Sequence, residues 1–235
     1  MDSIAVEGLA NVRDLGGMKR SDGTATPGGV FIRSEKLDDV TETGWQQLRD
    51  LGVRTVIDLR HPEERAGGIP MGFSHVLIDL DGDDRTFWDI YETDDRCCTP
   101  LYYAPHLGAH PELMGAVLKT IAQARSGAVL FHCASGWDRT GFVSAVLLKA
   151  IGVTTEAAVD DYMRSYFNDE AMMLLHNRRS DVEERLAVLR RYGHTPRSAF
   201  AQAYESIDIG RFLDAAKAST ATGKALGTWR GALEA

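Results

Sequence analysis

A chain of 235 residues that is 44% hydrophobic can bury one sizeable core and falls within the range of a single α/β domain. Its net charge of −8 and pI near 5.4 argue against a nucleic-acid binder, because a phosphate backbone demands a strongly basic face. No stretch approaches the ~20 apolar residues that span a bilayer, no basic-then-apolar leader opens the chain, and three cysteines make no disulfide framework, so the expected setting is cytoplasmic and reducing.

In chain order, the turn Pro27-Gly28-Gly29 precedes a short strand at Val30 to Ile32. Thr41 predicts the N-cap of a helix carrying Trp45, Leu48 and Leu51, stopped by Gly52. Val53 to Leu59 is rich in β-branched residues and reads as a buried strand, and Val76 to Leu80 as another. Residues 81 to 110 show no clean period; a long insertion or loop is expected there, with a short helix near Phe87 to Tyr91. Pro111 opens a helix with Leu113, Val117, Leu118 and Ile121 at helical spacing, and Ala128 to Phe131 follows as a short buried strand.

Phe142 to Ile151 is apolar on nearly every side, which places that helix at the centre of the fold. Beyond it the chain reads as helical. Thr155 caps Glu156 to Tyr166, Asp169 caps a long helix reaching about Tyr192, and Pro196 opens a third helix with Phe200 and Tyr204. Alternating strands and helices predict an α/β fold, a central mostly parallel sheet flanked by helices. One domain is expected over residues 1–235: sheet and chemical loop in about 1–152, a C-terminal helical layer in about 153–218, and a tail of small residues in about 219–235.

The chemistry concentrates in His132-Cys133-Ala134-Ser135-Gly136-Trp137-Asp138-Arg139-Thr140-Gly141, with five residues between the Cys and the Arg. A strand ending at His132 and a helix starting at Arg139 would make the intervening loop a phosphate cup. Backbone N–H groups can converge there on one tetrahedral dianion, and the helix dipole adds roughly half a positive charge. Gly136 permits the sharp turn. The same field favours a thiolate on Cys133, the competent nucleophile. The planar fork of Arg139 can bind two phosphoryl oxygens. A leaving alkoxide or phenoxide needs a proton, and Asp138 is the nearest carboxylic acid. Thr140 can ease departure of the thiolate, His132 can orient the loop, and Ala134, Ser135, Gly136 and Trp137 complete the substrate-binding set with them.

These residues match the hallmark of the protein tyrosine phosphatase superfamily: His-Cys, five residues, Arg, then Ser or Thr. Asn11-Val12-Arg13-Asp14-Leu15-Gly16-Gly17, Phe31-Ile32-Arg33-Ser34 and Asp58-Leu59-Arg60-His61-Pro62-Glu63-Glu64-Arg65 resemble the microbial atypical branch with tyrosine and phosphoinositide phosphatase members. The resemblance implies a tyrosine phosphatase-like fold, a phosphocysteine intermediate, and the acid at Asp138. In that branch the loop usually reads Ala-Gly-Lys-Asp-Arg, and its Lys is linked to extra substrate phosphates; Trp137 stands here instead. Gly-Trp-Asp-Arg-Thr also resembles the loop of myotubularin lipid phosphatases.

The expected activity is therefore hydrolysis of phosphorylated protein, with a phosphoinositide as the alternative substrate and a catalytically dead phosphate-binding domain as the alternative from another class. Rival acids exist at Asp83, Asp84, Asp89, Asp94 and Asp95, since other superfamily branches carry the acid on a loop before the cup. Asn11, Arg13 and Asp14 read as a clasp near the cup, and Asp58 and Arg60 as packing and salt-bridge groups. Cys97, Cys98, His106 and His110 fit no usual zinc spacing, so neither metal nor cofactor is expected. Cys97 or Cys98 could instead trap an oxidised Cys133. The arginines from Arg178 to Arg197, interleaved with Asp181, Glu183 and Glu184, read as a solvated helix face.

Overall fold

The computed structural model describes residues 4–234, so the domain expected over 1–235 exceeds it at both ends. Five strands, β1 (Arg13–Asp14), β2 (Phe31–Ser34), β3 (Val53–Asp58), β4 (Ser74–Leu77) and β5 (Ala128–His132), form one sheet in the order β1-β2-β5-β3-β4. The β1–β2 pair is antiparallel and the other three pairs are parallel. His132, the last residue of the central strand, lies opposite Ser34 on one side and Asp58 on the other. Three strands thus end together, at the edge where open α/β sheets bind their ligands.

Around the sheet lie α1 (Glu42–Asp50), α2 (Arg85–Thr93), α3 (Tyr103–Ala109), α4 (Pro111–Gln123), α5 (Asp138–Ala150), α6 (Thr155–Phe167), α7 (Asp169–Leu175), α8 (Val182–Arg191), α9 (Pro196–Ser206), α10 (Ile209–Ala215) and α11 (Thr220–Gly227). Alternation along the strands sends side chains to two cores. Ile32, Val56, Ala128 and Leu130 meet Trp45 and Leu48 of α1, while Phe31, Ile57, Val129 and Phe131 face the larger helical side. The central helix expected from composition is α5, buried without interruption from Thr140 to Leu148. No helix among the described residues is long and apolar enough to cross a membrane.

Three expectations change. Residues 81 to 110 are packed structure. The Asp84 carboxylate caps α2, Thr99 caps a 3-10 turn at Pro100–Tyr102, and α3 follows. Phe87, Trp88, Tyr102 and His106 form edge-on aromatic contacts, and Tyr102 and His106 reach Phe142 of α5. The period was hidden because the helices are short and broken by residues with positive φ, Asp95 and Cys98. The long helix from Asp169 is two helices, interrupted where Asn177 takes φ 48° and the Arg178 N–H returns to the Met173 carbonyl.

The third correction concerns the tail of residues 219–235. Ser219 caps α11, and Trp229 is fully buried, its ring edge-on to Phe31 at 4.5 Å and its Nε1 donating to the Pro27 carbonyl at 3.0 Å. One aromatic anchor outweighs the small residues before it. Trp229→Ala should therefore cost about 3–5 kcal/mol, read as a lower urea midpoint; an unchanged midpoint would show that this segment is dispensable.

Candidate active site

The loop from Cys133 to Trp137 links β5 to α5, and four successive carbonyls in it are held from behind. The Cys133 carbonyl meets His132 Nδ1 at 3.2 Å, and the Ala134 carbonyl accepts from the Lys36 N–H at 3.1 Å. Ser135 O accepts from Asn11 Nδ2 at 2.9 Å and Gly136 O from Arg33 Nη2 at 2.9 Å. In a trans peptide the C=O and the following N–H point in opposite directions. Fastening these oxygens to the outer wall turns the N–H groups of residues 134 to 137 inward, side by side, beside Cys133. Only glycine fits at 136: its φ is +62°, and a Cβ would stand 2.4 Å from the Ser34 carbonyl.

The fasteners are themselves locked. Asp161 of α6 accepts from Arg13 Nε at 2.6 Å and is also ion-paired to Arg33. Burial alone would raise the Asp161 carboxyl, but the two guanidinium groups hold it below the usual range. Burial, aided by neighbouring Arg33, lowers Arg13 to about 10. Arg13 Nη1 donates to Asn11 Oδ1, Arg13 Nη2 to Ser165 Oγ, and Asn168 Nδ2 to Asn11 Oδ1 at 3.1 Å. The Glu35 carboxylate accepts the Ala10 and Asn11 N–H groups. Asn11 and Arg13 are thus a clasp on the cup. Asp14 works elsewhere, accepting from the Gly16 and Gly29 N–H groups.

Arg139, in the first turn of α5, faces a cleft of about 740 Å³ whose lining includes His61, Asp81, Trp88, Cys97 and Asp138. Its fork is engaged by the Glu64 carboxylate, Nη2 donating to Oε1 at 2.8 Å and Nη1 to Oε2, with Asp81 Oδ2 3.2 Å from Nη1. Burial disfavours its charge, yet Glu64, Cys133 and Asp81 together hold it above the ordinary arginine range. Two carboxylic acids beside it move the other way. Burial raises Asp138 to about 6 against the Tyr102 hydroxyl, which donates to Oδ2 at 2.6 Å, and against Arg185 and Arg139. Burial also raises Asp81 to about 6, with Arg139 opposing and Asp138 adding to the shift. The site can thus hold a dianion on convergent amides and an Arg while keeping a carboxylic acid partly protonated near pH 6.

A sequence model of the tyrosine phosphatase family matches residues 4–223. The chain belongs to the tyrosine phosphatase family. It is 32% identical over 200 residues to the triple specificity protein phosphatase PtpB of Mycobacterium tuberculosis, covering 71% of this chain and 70% of that one. It is 32% identical over 144 residues to a tyrosine-protein phosphatase of Nostoc commune, covering 59% of this chain and spanning about half (49%) of the Nostoc protein. Among solved structures, TpbA of P. aeruginosa matches with a TM-score of 0.42 at 18% identity, over 80% of this chain and 86% of that one.

Of the residues expected in this family's loop, Asp138 and Arg139 line the cleft, and Cys133 is buried beneath it, near enough to Arg139 to favour its charge. The side chains of Trp137, His132 and Thr140 do not reach the cleft. The Trp137 indole is buried under the loop, edge-on to Tyr166 at 4.2 Å, so of this residue only the backbone N–H faces the cup. His132 is sealed behind the strand end, where burial lowers it to about 4. The Thr140 hydroxyl is buried at the base of α5. Asp58 and Arg60 pair with each other, and Arg60 also with Asp38, as expected of packing groups.

Cys97 and Cys98 line the rim of the cleft. Of the rival acids, Asp83 lines the same cleft and Asp84 caps α2, while Asp89, Asp94 and Asp95 pair with Arg85, Arg96 and Arg191. Sequence reasoning missed Asp81, Glu64, Tyr102 and Arg185. Glu64 lay inside the quoted Asp58 to Arg65 motif. Asp81 sits just past β4, at the strand-end edge that carries the cup. Arg185 was read as part of a solvated helix face, yet its guanidinium stacks 4.8 Å from the Trp137 ring centroid, pairs with Asp181 at 3.0 Å and donates to the Cys98 carbonyl. Arg185 is therefore a packed, ion-paired group beneath the loop rather than part of a solvated face.

Proposed function

We propose that this chain is a cysteine-dependent phosphomonoester hydrolase acting on phosphotyrosyl protein, with dual specificity within its reach. The observation that carries the reading is the set of four fastened carbonyls, which turns consecutive amides toward one point beside Cys133 and Arg139. The Cys133 thiolate attacks phosphorus in line, the phosphoryl oxygens gather charge on the amides and on Arg139, and Asp138 protonates the departing oxygen. Asp138, now a carboxylate, then takes a proton from the water that hydrolyses the phosphocysteine. Substrate phosphate has to compete with Glu64 for the Arg139 fork. The free thiols at Cys97, Cys98 and Cys133 suit a reducing, cytoplasmic setting.

The Asp138 charge adds to the upward shift of Asp81, so the pH profile has to be read on variants of both. An acid must be protonated to act; kcat/KM should therefore fall as pH rises through about 6. Asp138→Asn should remove that limb and lower turnover of an alkyl phosphate ~10²-fold or more, while sparing an aryl phosphate with a good leaving group. If Asp81→Asn does this and Asp138→Asn does not, the acid is Asp81. A panel of phosphopeptides and phosphoinositides on the same proteins identifies the substrate; turnover confined to phosphoinositides would overturn the protein-phosphatase assignment.

A further inference from the structure

The negative charge of the chain is concentrated beside the cup. Residues 79 to 95, from just past β4 to just past α2, hold eight of its 34 carboxylates and one of its 26 lysines and arginines, Arg85. Seven of the eight excess negative charges thus fall in this one segment. Four of its acids, Asp79, Asp81, Asp83 and Glu92, line the cleft over Arg139, and Glu63 and Asp138 join them. The lysines and arginines of that lining are Arg85 and Arg139, and both are occupied: Arg85 by Asp89 at 2.6 Å and Glu92 at 2.7 Å, Arg139 by Glu64 and by Asp81 at 3.2 Å. His61 faces Asp79 at 2.8 Å and Asp81 at 3.4 Å. Glu63 and Asp83 are exposed and have no cationic partner among the described residues.

Such a surplus works against a phosphate site taken alone. A dianion entering between carboxylates is repelled, and the cup amides and Arg139 have to overcome that repulsion. The surplus turns favourable when the group that carries the phosphate brings cations of its own. The cup fixes where the phosphoryl group lies, so the residues on either side of it in a peptide lie against the cleft walls. Arginine or lysine at those positions meets the unpaired carboxylates of Glu63 and Asp83, whereas glutamate, or a second phosphate, is turned away.

We infer that the cleft selects phosphotyrosyl segments flanked by arginine or lysine, with Glu63 and Asp83 as its specificity-determining residues; the inference rests on the function proposed above for where the phosphate lies. The test uses three peptides in which one phosphotyrosine is flanked by arginines, by alanines or by glutamates. Turnover is measured on the wild type and binding on Cys133→Ser. The expected order in both is arginine, alanine, glutamate, with about tenfold or more between first and last. The spread should shrink toward equality at ~1 M salt, where the screening length is ~3 Å. Glu63→Gln combined with Asp83→Asn should weaken use of the arginine peptide about fivefold and strengthen use of the glutamate peptide, a crossing that misfolding cannot produce. Equal use of the three peptides, an unchanged ratio in the double variant, or an inositol polyphosphate used as well as the arginine peptide would overturn the inference. Arginine-first binding to Cys133→Ser with no turnover by the wild type would overturn the phosphatase reading and leave the selectivity standing. Absence of binding by all three would overturn both.

Discussion

Cys133→Ser should abolish turnover of an aryl phosphate, a loss of ~10⁴-fold or more, while leaving inorganic phosphate able to bind. An alcohol in place of the thiol is not ionised at neutral pH, so the nucleophile disappears. The cup does not, because its amides are aimed by Asn11, Arg33, Lys36 and His132 and by nothing on the sulfur. Rapid-quench assays should show no trapped phosphoprotein, and phosphate should still raise the melting temperature of the variant by mass action. Retained turnover would remove Cys133 from the chemistry; lost phosphate binding would remove the amide cup from it.

Arg139→Lys should cost ~10³-fold in kcat even though the charge is kept. An ammonium is a point donor and cannot match two oxygens of the transferring group in one plane. The Glu64 contact makes the same geometric statement, since its carboxylate already spans both arms of the guanidinium. If kcat falls and KM hardly moves, Arg139 acts mainly in the transition state; a rise in KM alone would mean that it only gathers substrate. A variant within tenfold of the wild type would refute the assigned role.

What could be read in the sequence was what is local along it. The spacing of Cys133 and Arg139, the apolar run of α5 and the capping threonine of α1 each depend on residues within a turn or two of one another. The parts that make the loop a site are distant: Asn11 lies 124 residues from the Ser135 carbonyl that it holds, and Arg33 lies 103 from that of Gly136 and 128 from Asp161. Periodicity cannot place such partners. Asp81 was passed over in favour of its neighbours because strand order alone brings it to Arg139, and Arg185 because a lone helix face gives no hint of the ring beneath it. Trp229 was lost to its context, as small residues on either side masked one anchoring aromatic.

The clasp around Asp161 also sets an order of assembly. Loops of more than a hundred residues must close before Arg13, Arg33 and Asn11 can meet α6, and contacts of such separation form late because the chain entropy is spent before they repay it. Until then nothing aims the amides of residues 134 to 137 at one point. Cys133 is 2% exposed in the folded chain, so its alkylation by iodoacetamide across a urea series should quicken as soon as the clasp opens, before the sheet melts; labelling that follows sheet loss alone would show that cup and sheet form together.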